Sequence, residues 1–196
     1  MSNPRHRRSI RLPGYDYTSA GAYFVTLLVH QRQHLFGTLA NGEVQLTAWG
    51  RLAQTEWCRL AERFPGILID MYVIMPDHLH AILWINTADM PSPPRARHPT
   101  PLKMDGSSLA SPQLGRPLPT SPPPGSLGAV IGAYKATTAR LINGLRHSPG
   151  APVWQRNYFE RIIRDENELS RIYDYIQSNP LNADDEENTF RSGPAR

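Results

Sequence analysis

Apolar and polar positions alternate with two different periods along the chain, and the switches between them mark its elements. Ala22-Tyr-Phe-Val-Thr-Leu-Leu-Val29 is dense in β-branched and aromatic residues and predicts a buried strand. Between Leu35 and Leu46, Asn41-Gly42 separates two short runs, which predicts a small hairpin on a type I′ turn. Thr47 then stands as an N-cap, and Leu52, Trp57, Leu60 and Phe64 recur at roughly helical spacing until Pro65-Gly66. Ile67 to Met75 and His78 to Ile85 predict two strands interrupted at Pro76-Asp77. Leu127, Val130, Ile131, Tyr134, Thr138, Leu141, Ile142 and Leu145 form the stripe of an amphipathic helix that ends at Ser148-Pro149-Gly150. Val153 to Ile163 reads as a strand. Asp165 caps a last helix with the stripe Leu169, Ile172 and Ile176, closed by Pro180.

Without the hairpin and the last helix the order is βαββαβ. The expected fold is therefore α+β, a ferredoxin-like split βαβ with an antiparallel sheet and helices on one face, followed by a C-terminal helix. Residues 87–125 break the pattern. Eleven of the 19 prolines fall between Pro91 and Pro124, and such a segment cannot bury enough apolar surface to order itself. It reads as a disordered insert within one domain, because neither flank has enough elements to fold alone; a Pro-rich ligand for a partner is the other reading. The domain is placed at 15–183, after a basic mobile arm at 1–14 and before an acidic, frayed tail at 184–196.

Composition narrows the setting. In 196 residues no apolar run approaches the roughly 18 that a membrane helix needs, and the basic start lacks the apolar stretch of a secretory leader. Cys58 is the single cysteine, which excludes an internal disulfide and a cysteine-rich zinc site. A reducing, cytoplasmic setting is expected. The net charge is +4, and 19 of the 21 cations are arginines, whose planar donors suit phosphate; codon bias in a GC-rich genome explains them equally well. Arg5, Arg7, Arg8 and Arg11 open the chain, while nine of the 17 acids lie between Glu160 and Glu187.

Three constellations could carry chemistry. In Pro76-Asp-His-Leu-His80, strand alternation puts His78 and His80 on one face, as a divalent-metal pair or as two half-exposed strand histidines. Tyr175 and Asn179 are i and i+4 on the last helix, either a hydroxyl and amide near a shared ion or a surface aromatic and a helix stop. Trp154-Gln-Arg-Asn-Tyr158 with Arg161 and Arg164 interleaves aromatics and cations, which suits single-stranded nucleic acid as well as a packed strand. Lys135 and Arg140 add to a basic face. Together the three complete one mechanism: an ion on the histidines and the amide polarises a phosphodiester, and Tyr175 attacks phosphorus.

Met75-Pro-Asp-His-Leu-His80, Val153-Trp-Gln-Arg-Asn-Tyr-Phe-Glu160, Ile163-Arg164 and Tyr175-Ile-Gln-Ser-Asn-Pro180 resemble the IS200-like Y1 transposases, in their REP-associated tyrosine transposase branch. Arg7-Arg8-Ser-Ile-Arg-Leu-Pro-Gly-Tyr15 and Ala22-Tyr-Phe-Val-Thr26 resemble the same branch. The likeness spans about residues 7–86 and 125–183. It implies an HUH endonuclease, with His78 and His80 as the histidines, Tyr175 as the nucleophile and Asn179 as the polar residue that helps bind Mg²⁺ or Mn²⁺. Such enzymes cut single-stranded DNA, often near a hairpin, keep a 5′-phosphotyrosine and release a 3′-OH. Two features depart from the pattern: Asp77 where Asn is usual, and the Pro-rich insert. Tyr173 and Tyr158 are rival nucleophiles, and on a helix Tyr173 points about 200° away from Tyr175.

The expected function is a metal-dependent transposase that nicks and rejoins single-stranded or hairpin DNA. Arg7, Arg8, Arg11, Lys135, Arg140, Trp154, Arg156, Arg161 and Arg164 are the candidate DNA contacts. A hairpin-binding repressor that no longer cleaves is the main alternative, and a phosphodiesterase using metal-activated water is the third. Monomer and homodimer both remain open.

Overall fold

The structure is a computed structural model that describes residues 18–85 and 122–180. The basic arm, nearly all of the Pro-rich insert and the acidic tail lie outside the described residues, as do Arg7, Arg8 and Arg11. The elements in chain order are β1 (Gly21–Leu28), β2 (Gly37–Ala40), β3 (Glu43–Leu46), α1 (Ala48–Cys58), α2 (Leu60–Arg63), β4 (Ile67–Ile74), β5 (His78–Ile85), α3 (Leu127–Leu145), β6 (Phe159–Ile163) and α4 (Glu166–Ser178).

The main sheet has the order β4-β5-β1-β6, with every neighbouring pair antiparallel. Among its four strands, taken in chain order, this is the interleaved arrangement of a ferredoxin-like split βαβ. The two crossovers carry α1 with α2, and α3. The β2–β3 hairpin stands apart as its own ribbon. Its turn has Asn41 and Gly42 at φ 55° and 74°, the pair of positive values that a type I′ turn requires. Thr47 caps α1 by accepting from the Gly50 N–H, and Gly50 lets that turn press on the hairpin. A Cβ there would stand 2.0 Å from the Phe36 carbonyl oxygen.

Alternation along β1 and β5 divides the interior into two layers. Tyr23, Val25, Leu27, Leu79, Ala81 and Leu83 meet Trp57 and Leu60 of the first crossover and Val130, Ile131, Tyr134 and Ile142 of α3. Phe24 and Ile82 point the other way and meet Ile176, with Leu169, Ile172 and Tyr175 also on α4. The first two helical crossovers thus share one face, and α4 covers the other.

One expected element is shorter than its sequence suggests. Strand β6 begins only at Phe159, whereas Val153 and Trp154 run beside the end of β1, Trp154 bridging Val29. The chain then leaves the sheet, and the Lys135 ammonium donates to the carbonyls of Gln155, Arg156 and Asn157 there at 2.5, 3.2 and 3.3 Å.

Candidate active site

The site forms between β5, β1 and α4. Strand alternation turns His78 and His80 to the α4 side, where their ring centroids lie 4.5 Å apart. Both are buried, as is Asn179 at the C-cap of α4. Residues 175 and 179 are one helical turn apart, so the helix that brings Tyr175 to the histidines also brings Asn179 inward. The Tyr175 hydroxyl is 3.1 Å from His80 Nε2. Phe24, between β5 and β6 in the sheet, lies under both: its ring stacks on His80 with centroids 5.5 Å apart and meets Tyr175 edge-on at 6.1 Å.

On its other nitrogen, His80 Nδ1 is 2.8 Å from Thr26 Oγ1 across the β1–β5 pair. With the proton on Nδ1, the ring donates to Thr26 and leaves Nε2 to accept from Tyr175, which is also the tautomer a metal ligand needs. Burial, reinforced by His78 and Arg32, holds the His80 pKa well below the usual imidazole range, so the ring is neutral at physiological pH. Burial also works against ionisation of Asp77, but the hydrogen bond from His78, with Arg32 and His34 nearby, outweighs it and keeps this carboxyl below its ordinary range.

The rival tyrosines are occupied elsewhere. Tyr173 donates to Asp70 Oδ2 at 2.5 Å, and Trp84 Nε1 donates to the same oxygen at 2.8 Å. Burial and the Asp70 carboxylate both push the Tyr173 pKa up, which opposes the phenolate a nucleophile needs. Tyr158 packs against the α1/α3 layer with Lys135 over its ring at 6.0 Å.

Two candidate DNA contacts are corrected. Trp154 is buried, packs at a tilt against the Phe36 and Tyr134 rings and donates from Nε1 to Thr138 at 2.8 Å, so it belongs to the core and not to a base-stacking surface. Lys135 is committed to the three loop carbonyls, and burial pulls its ammonium down to about 8. Arg140, Arg156, Arg161 and Arg164 are exposed. Arg161 pairs with Glu168 at 2.5 Å near the start of α4, and Arg140 stands on α3, across the sheet from the histidines.

Sequence reasoning missed Asp70, Thr26 and Arg32. Asp70 had a readable signal, as a lone carboxylate in the apolar run Ile67-Leu-Ile-Asp-Met-Tyr-Val-Ile74. It sits at an irregularity, where the register jumps between Ile69 and Tyr72, and is buried.

The set of two imidazoles and one amide oxygen suits a divalent cation of intermediate hardness. No group of three or more His, Cys, Asp and Glu side chains converges among the described residues, and the expected set takes its third donor from Asn179 instead.

No family model matches the chain. An uncharacterized protein of Haemophilus influenzae is 37% identical over 176 residues, covering 90% of this chain and 89% of that protein. The chain belongs to the same family as this protein. Among solved structures, a REP-associated tyrosine transposase bound to a REP hairpin superimposes with a TM-score of 0.51 at 17% identity, over 83% of this chain and 68% of that one. At that identity the shared feature is the fold. No described helix is long and apolar enough to cross a membrane.

Proposed function

We propose that the protein is a metal-dependent, single-strand-specific DNA transesterase of the Y1 HUH type, which nicks and rejoins hairpin-containing DNA through Tyr175. The observation that carries this reading is the Tyr175 hydroxyl 3.1 Å from His80 Nε2, with the His78 ring 4.5 Å from that of His80 and Asn179 buried one helical turn beyond Tyr175.

Two imidazoles and an amide would hold Mg²⁺ or Mn²⁺, and the bound ion would offset charge on the phosphate oxygens. The chain supplies the rest. Tyr175 gives up its proton and its oxygen bonds to phosphorus. The 3′ oxygen of the upstream nucleotide departs with the bonding electron pair and takes up a proton, while the 5′-phosphate stays on Tyr175. Attack by a 3′-OH on that linkage reverses the step, so one phosphodiester is exchanged for another and no nucleotide cofactor is consumed. His80 Nε2, which meets the Tyr175 hydroxyl, is also the atom that would ligate the ion.

The partner is single-stranded or hairpin DNA, approached over Arg156, Arg161 and Arg164. The REP hairpin carried by the solved structural relative supports this choice of DNA. The test is incubation with labelled single strands containing hairpins from the flanks of its own gene, in Mn²⁺ or EDTA, read on a denaturing gel. A metal-dependent labelled band at protein mass, absent in Tyr175→Phe, is expected. Cleavage with no adduct points to metal-activated water, and salt-dependent binding with neither points to a repressor.

A further inference from the structure

A second line of contacts runs from the buried site to solvent. Asp77 uses its two carboxylate oxygens in opposite directions: Oδ1 lies 2.6 Å from His78 Nδ1, and Oδ2 lies 2.6 Å from Arg32 Nε. An ionised carboxylate only accepts, so both nitrogens donate to it. The proton of a neutral His78 is thereby fixed on Nδ1, and Nε2 is left with the lone pair.

Arg32 is aimed at Asp77 by its backbone. Gln31 and Arg32 are consecutive non-glycine residues in the left-handed region, at φ 55° and 56°. Such positions carry strain and persist only where the surroundings over-determine them. Here the segment is stitched at both ends to the turn that precedes His78. The Val29 N–H donates to the Asp77 carbonyl at 2.8 Å, and the Phe36 N–H donates to the Pro76 carbonyl at 2.9 Å. Inside it, the Arg32 N–H returns to the Val29 carbonyl at 3.0 Å. The Arg32 side chain is 49% exposed and that of Asp77 only 10%, so the guanidinium closes the outer side of a nearly buried carboxylate.

We propose that Arg32 and Asp77 are a positioning pair that sets the tautomer of His78 and so presents its Nε2 to the divalent ion. Asp77 acts on the ion through His78, its two oxygens turned to His78 Nδ1 and Arg32 Nε. The inference rests on reading His78 as a metal ligand. It gives Asp77 a role that asparagine can fill only in part: the amide oxygen of Asp77→Asn still accepts from His78, whereas its amide nitrogen opposes the Arg32 donor.

Two readouts other than catalysis test it on the full chain. The first is nitrogen NMR of the metal-free protein with labelled histidine. The His78 ring is expected as the Nδ1–H form, and Asp77→Ala as a mixture of tautomers. The second is Mn²⁺ titration. Asp77→Ala is expected to lose about 10- to 100-fold in affinity, and Asp77→Asn to retain much of it. Arg32→Ala is expected to weaken binding in the wild-type background and to change nothing further beside Asp77→Asn. That last comparison stands even where Asp77→Ala fails to fold. A wild-type His78 protonated on Nε2, or wild-type Mn²⁺ affinity in folded Asp77→Ala, overturns the proposal. An Arg32→Ala effect of equal size in both backgrounds removes Arg32 from it. If the tautomer is as expected and the wild type binds no Mn²⁺, it is the metal reading of the pair that fails.

Discussion

On the α1/α3 face of the sheet, β1 and β5 contribute Tyr23, Val25, Leu27, Leu79, Ala81 and Leu83 to a continuous apolar layer. One residue away along the same strands, Phe24, Thr26, His78 and His80 face α4. Their polar contacts there are specific: Thr26 to His80, His80 to Tyr175, and Trp84 and Tyr173 to Asp70. The strands' alternation thus lets one sheet separate its functions. The apolar face holds the domain together through buried area, which is nondirectional. The α4 face uses directional bonds, which fix where each functional atom sits. Stability and chemistry are therefore expected to respond to different substitutions, even between adjacent residues.

The largest expected effect falls on the α4 face. Tyr175→Phe should abolish the covalent DNA adduct while leaving the melting temperature and hairpin affinity close to wild type, measured by denaturing gel, calorimetry and filter binding. A surviving adduct would remove Tyr175 from its role. Next is Leu79→Ala, between the two histidines but on the opposite face. Its expected cost is about 2–5 kcal/mol of unfolding free energy, read by urea denaturation, with adduct formation retained in the molecules that remain folded. Loss of chemistry without loss of stability in that variant would break the division between faces.

Tyr173→Phe should act in between. It removes one of two donors to Asp70 and costs about 1–3 kcal/mol. That bond ties α4 to β4, so the rate of adduct formation should fall several-fold without vanishing, and DNA affinity should hold. An unchanged rate would show that the apolar stripe of α4 alone positions Tyr175. The smallest effect belongs to Lys135, on the apolar side. The chain has two lysines, so methyl labelling gives one resonance for Lys103 and one for Lys135. Lys135 should titrate near 8. The unfolded chain keeps that proton up to the ordinary lysine value, so it binds more protons than the folded one between the two pKa values. Stability should accordingly rise with pH across that window. A midpoint at the ordinary lysine value would mean that the three carbonyls compensate fully for burial.

Much of this was legible in the sequence. Asn41-Gly42, Thr47 and Asp165 act locally, through turn and cap geometry, and each stands where its chemistry suggests. The facing of His78 and His80 follows from the strand period. Long-range partners were not legible. Thr26 meets His80 54 residues away and Tyr173 meets Asp70 103 residues away, and neither separation leaves a local pattern. Trp154 and Lys135 were misjudged for a related reason. An aromatic on a predicted strand or a cation on a helix reads alike whether it faces DNA or the interior, and only the Thr138 bond and the loop carbonyls tell them apart. Arg32 was hidden because a left-handed backbone at Gln31-Arg32 has no glycine to announce it.

The most direct test of the central claim is to trap the adduct with single-stranded hairpin DNA in Mn²⁺, digest it, and locate the nucleotide by peptide fragmentation. Cleavage after Arg171 puts Tyr173 and Tyr175 on one peptide, so fragmentation must divide them. The account predicts a 5′-phosphonucleotide on Tyr175, formed only with metal. A nucleotide on Tyr173 or Tyr158, or DNA cleaved with no modified tyrosine at all, would contradict it.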